Sequence, residues 1–156
     1  MKKRNGFTLV EILIVVVILG ILAAIVIPQF SDASEEAKMS ALVSNLQTIR
    51  SQIQLYRAQH HHGTTNLPGA LETGLTFSKS MTMYTIKDGT EALDQAPGIG
   101  VYGPYLLKVP TNPYTDACSV DSGTDAPGDG GSTAGWYFNT TTGAFNAHDS
   151  ATHAGY

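Results

Sequence analysis

The sequence predicts an α+β protein in which a long N-terminal helix packs on a small C-terminal antiparallel β-sheet with loops. Three observations carry this. Sixteen residues from Ile12 to Ile27 pass without a charge, apolar residues recur at helical spacing from Met39 to Tyr56, and aromatic residues flank a glycine-closed loop between Gly135 and Ala147. The 156 residues make one domain, or one domain with an extension. Nine Lys/Arg against thirteen Asp/Glu leave a formal charge of −4, so no nucleic-acid partner is expected. Ile, Leu and Val crowd into the head, which excludes full disorder and an ordinary cytosolic enzyme core.

The head comes first. Lys2, Lys3 and Arg4 precede the apolar run with no acid among them. From Phe7 to Ile27 the helix would be about 30 Å long at ~1.5 Å per residue, enough to cross a bilayer. Positive residues stay cytoplasmic, so everything after Ile27 is expected on the far side. The run is longer than the ~7 to 15 apolar residues of a secretory signal, and Leu22 with Ala24 makes a poor cleavage pair. Glu11 is the anomaly: a carboxylate in an apolar span costs on the order of 2.5 to 3.5 kcal/mol, so it either snorkels at the interface or has a partner.

Lys2-Lys3-Arg4-Asn5-Gly6-Phe7-Thr8-Leu9-Val10-Glu11 resembles the leader junction of the type IV pilin superfamily: a basic leader, Gly, Phe, and Glu as fifth residue after the cut. The resemblance implies that a prepilin peptidase cuts after Gly6 and methylates Phe7, and that Glu11 of an incoming subunit pairs with the Phe7 amine of its neighbour. The chemistry agrees, because an ammonium in lipid needs a counter-charge as much as a carboxylate does. The expected divisions are a cleaved leader over 1–6, a transmembrane assembly helix over 7–30 and a globular domain over 31–156.

Pro28 inside the helix removes one hydrogen bond, so a kink or local melting is expected between Gly20 and Pro28, as the resemblance also implies. Met39, Leu42, Leu46, Ile49, Ile53 and Tyr56 form one stripe, expected to be the core face of the domain. The helix is expected to end at His60-His61-His62-Gly63, a solvated, pH-sensitive end.

Beyond it, a short helix is expected near Pro68 to Gly74, a strand at Met81 to Ile86 and an extended segment from Val101 to Val109, with turn signals at Leu67-Pro68-Gly69, Lys87-Asp88-Gly89, Ala96-Pro97-Gly98 and Thr111 to Tyr114. The hairpin comes last, Gly135 to Asn139 and Ala144 to Ala147. Gly103-Pro104-Tyr105-Leu106, Val109-Pro110, Asn112-Pro113-Tyr114 and Gly135-Trp136-Tyr137 to Gly143 resemble the C-terminal half of major pseudopilins of type II secretion systems.

Asp121 to Thr133 is rich in Gly and Asp, with Asp116 just before it. Asp116, Asp121, Asp125 and Asp129 could wrap Ca²⁺, which takes oxygen ligands, or could simply be a solvated loop. The resemblance favours Ca²⁺, since major pseudopilins bind it in a C-terminal loop. Adjacent histidines at 60–62 diverge on a helix and do not converge on one metal. His148 and His153 sit in a polar tail expected to fray, and Cys118 is expected to be a buried thiol or to pair between subunits. Asn139-Thr140-Thr141 matches a glycosylation acceptor of a kind common by chance. No nucleotide, metalloprotease or nucleophile-elbow motif appears, so no catalytic residue is named and no enzyme is expected.

The two resemblances imply a structural subunit that polymerises through its N-terminal helix into a pseudopilus driving type II secretion. Its implied partners are other copies of itself, a prepilin peptidase, an assembly platform, minor pilin-like subunits and the bacterial inner membrane. A surface type IV pilus subunit is the alternative, and the lack of a cysteine pair argues against it. A membrane-anchored periplasmic binding module would have no use for Glu11.

Overall fold

The computed structural model describes residues 6–61, 66–69, 76–90, 100–124 and 133–156. The chain divides into two compact units, Met1–Lys38 and Met39–Tyr156. Helix α1, Leu9–Gln59, contributes to both.

Within the first unit α1 buries nothing: every described residue from Gly6 to Lys38 is exposed. Leu9 is 82% exposed and Phe30 73%, so this apolar surface needs a cover that its own unit does not supply. The helix is long and apolar enough to cross a membrane. It starts at Leu9 rather than Phe7, because Thr8 closes its first turn. Gly20 and Pro28 both lie inside an unbroken helix, so the local melting expected between them is not a feature of this structure. Proline removes one N–H from the ladder, and the helix continues on either side of that gap.

In the second unit the apolar stripe does what its spacing predicts. Leu42, Leu46, Ile49, Ile53 and Tyr56 are all buried, with Met39 packed at the edge. They meet Leu67, Phe77, Met81, Leu106, Val109, Trp136, Phe138, Phe145 and Ala147 in one core. Full burial of each such aliphatic side chain stabilises by about 1.5 to 3 kcal/mol.

Among the described residues two small sheets complete this unit. β1 (Thr85–Ile86) pairs antiparallel with β2 (Val101–Tyr102). The second sheet has the order β3 (Val120–Gly123), β4 (Trp136–Asn139), β5 (Phe145–Ala147). The predicted hairpin is present, with β4 and β5 antiparallel and Phe138 opposite Phe145. β3 was not expected and runs parallel to β4, so the sheet is mixed rather than purely antiparallel.

Other expectations change. Met81 and Thr82 end helix α2, Phe77–Thr82, instead of starting a strand, because Thr76 accepts the Lys79 N–H as N-cap and Phe77 and Met81 turn inward. Pro68 and Gly69 form the turn that their sequence signals, in place of the first residues of a helix, and the rest of the helix expected there lies outside the described residues, as do the 96–98 turn, His62 and Gly63. Only Val101 and Tyr102 of the long extended stretch pair as strand. Asn139 is a turn former: its Oδ1 accepts the N–H groups of Thr141 and Thr142 at 2.9 and 2.8 Å, and Gly143 takes φ +78°.

Candidate functional site

Gly6 and Phe7 precede the helix, and Phe7 is 81% exposed. The residues that follow build a reciprocal cap. The Thr8 N–H and Thr8 hydroxyl both donate to Glu11 Oε2, at 2.8 and 2.7 Å. In return the Glu11 N–H donates to Thr8 Oγ1 at 3.3 Å. This is the capping box, and Thr8-x-x-Glu11 is its sequence signature. That signature was legible in Thr8 and Glu11 but is overshadowed by the charge-free run that follows them. The structure thus places Phe7 and Glu11 at one end of one apolar helix, while Gly20 and Pro28 lie farther along it.

The acidic loop is different. Asp116 is exposed at φ +54° and its N–H donates to the Asn112 carbonyl oxygen at 2.9 Å. Asp121 lies on β3 with its carboxylate 3.6 Å from His148 Nε2. Among the described residues no three His, Cys, Asp or Glu side chains gather into a metal group. Asp125 and Asp129 lie outside the described residues. Asp116 and Asp121 alone do not make a calcium site.

The histidines are corrected. His60 is fully buried just past α1, stacked on Tyr56 with ring centroids 3.9 Å apart. Its Nδ1 donates to the Tyr56 carbonyl at 3.0 Å and its Nε2 lies 2.9 Å from Thr85 Oγ1. It is a structural side chain tying the helix end to β1; His61 is exposed as predicted. Burial also pushes the Tyr56 phenol up to about 12, against a hydrogen bond with Ser80 that lowers it.

The tail does not fray. His148 is 5% exposed, and Asn146 Nδ2 donates to the Ala154 carbonyl at 2.7 Å. His153 Nδ1 bonds Asp149 Oδ2, and its ring lies 4.2 Å from that of Tyr114. Arg50, on α1, donates to the carbonyls of Phe145 and Tyr156, its guanidinium lowered by burial. Asn112 organises the same region: fully buried, it donates to the Gly135 carbonyl at 2.7 Å and to Asp149 Oδ1 at 2.9 Å, and accepts the Tyr114 N–H at 2.9 Å. Burial alone would raise the Asp149 carboxyl, but the bonds from His153 and Asn112 together hold it below its ordinary range. Cys118, expected to be buried, is exposed, because the segment before β3 runs along the surface.

Comparison with known proteins meets this geometry at the head. Residues 1–27 match the prokaryotic N-terminal methylation motif. The chain is 38% identical over 65 residues to type II secretion system core protein G of Escherichia coli K12, covering 41% of this chain and 45% of that protein. It is 27% identical over 120 residues to the protein of the same name from Klebsiella pneumoniae, covering 73% and 71%. A Pseudomonas aeruginosa fimbrial protein is 45% identical over 51 residues, a third of each chain. The chain spans less than half the length of the Escherichia coli relative that it matches. No solved structure matches it significantly. The chain therefore carries the N-methylation motif of type IV pilin-like proteins and has curated homologues named type II secretion system core protein G.

Proposed function

We propose that this chain is a structural subunit, not an enzyme, that polymerises through its N-terminal helix into a pseudopilus serving type II protein secretion. The observation that carries the reading is that the methylation motif of residues 1–27 includes the apolar start of α1, which carries an acid in its first turn and is exposed at every described residue up to Lys38. A peptidase cuts between Gly6 and Phe7 and the new Phe7 amine is methylated. The helix holds the subunit in the inner membrane, N-terminus cytoplasmic and second unit periplasmic, until assembly replaces lipid by neighbouring helices. There Glu11 of one copy meets the Phe7 ammonium of another. The fimbrial relative favours a pilus as second reading, but that match covers only a third of this chain, whereas the Klebsiella protein matches 73% of it.

The test is the intact mass of protein extracted from membranes. A chain beginning at Phe7 with one added methyl group is expected, leaving six Lys/Arg against thirteen Asp/Glu. An unprocessed Met1, or a cut near Ala24, contradicts the reading. Calcium belongs to the same proposal through Asp116, Asp121, Asp125 and Asp129. A cation bound only to the folded chain raises its melting temperature, so the detergent-solubilised protein should melt higher with Ca²⁺ than with chelator. Identical melts reduce the segment to a solvated loop.

A further inference from the structure

We propose that Thr8 is a positioning residue for self-assembly: it holds the Glu11 carboxylate by one oxygen and leaves the other for the ammonium of a second copy of this chain. The inference rests on the self-assembly reading and adds to it a residue and a geometry. Both Thr8 donors go to the same atom, Glu11 Oε2, and no described residue donates to Oε1. The self-cap and an intermolecular ion pair are therefore compatible, because they use different oxygens of one carboxylate.

Two consequences follow from the chemistry. While the subunit waits in the membrane, two hydrogen bonds to an ionised acceptor offset part of the cost of keeping a carboxylate in an apolar helix. When a partner arrives, the side chain is already ordered. A glutamate left free to rotate would lose that freedom on docking, whereas one fixed by its own cap has lost it in advance. Threonine fits the task because its hydroxyl donates to the carboxylate and its oxygen accepts the Glu11 N–H at the same time. Valine keeps the shape and the backbone donor but removes both hydroxyl bonds. Serine keeps them.

The experiment compares full-length Thr8→Ser, Thr8→Val and Glu11→Ala with wild type, reading intact mass for processing and the yield of sheared, sedimented filaments for assembly. Thr8→Ser should match wild type. Thr8→Val should insert, be cut and be methylated normally, yet give about tenfold fewer filaments, the scale of one lost hydrogen bond to a charged group. Wild-type yield from Thr8→Val, or an equal fall in Thr8→Ser, overturns the proposal. A Thr8→Val chain that stays uncut also overturns it, since that places Thr8 in processing. If Glu11→Ala assembles normally the docking reading itself fails; if Glu11→Ala fails to assemble while Thr8→Val succeeds, only the role of Thr8 falls.

Discussion

Asp149 has a side chain only 6% exposed, and it is held as a carboxylate by an imidazole and an amide. Its pKa in the folded chain lies below the ordinary value near ~3.9, so its contribution to stability is complete above about pH 4 and is lost as pH falls through the lowered folded value. Asp149→Asn removes the ionisable group, and the fully folded protein should then lose less stability than wild type as pH drops from about 5 towards 2. Urea midpoints along that series check it. Parallel curves for the two proteins contradict the assignment. None of this was legible in the sequence. Asn112, Asp149 and His153 are separated by up to 41 positions with the whole β3–β5 sheet between Asn112 and the other two, and only the folded chain shows that they converge. Glu11 was legible for the opposite reason: it is the one charged residue between Arg4 and Asp32, so it stands out.

At the level of elements, periodicity decided what could be read. The Met39–Tyr56 stripe repeats at helical spacing over eighteen residues, and every member meets the core. Ile49 is fully buried at its centre. Ile49→Ala should cost about 2 to 5 kcal/mol, measured by urea unfolding in detergent, with the first unit unaffected. A cost below about 1 kcal/mol would mean that the stripe is not the core face. The β4–β5 hairpin was equally legible from its aromatic residues and Gly143. β3 was not, because Val120-Asp121-Ser122-Gly123 shows no apolar alternation, and its pairing is set by a distant partner, Trp136 to Asn139. Gly135 marks how tight that junction is: a Cβ there would lie 2.2 Å from the Ala117 carbonyl oxygen. α2 was misplaced because six residues are too few for a period to register, and its Thr76 cap outweighs the strand character of the residues after it.

For the whole molecule the sharpest contrast is between a second unit that gathers most of its large apolar side chains into a core and a first unit whose described residues bury none. A globular domain needs no exposed apolar helix, and a simple membrane anchor needs no acid. Both make sense together when the helix has two covers in succession, lipid and then other copies of itself, and when the acid acts only in the second. The most direct measurement is the yield of sheared filaments from Glu11→Ala beside its processing. Replacing the acid makes the span more apolar, so insertion, cleavage at Gly6 and methylation of Phe7 should all persist. Assembly alone should be lost. Filaments at wild-type yield from a processed Glu11→Ala chain would contradict the account.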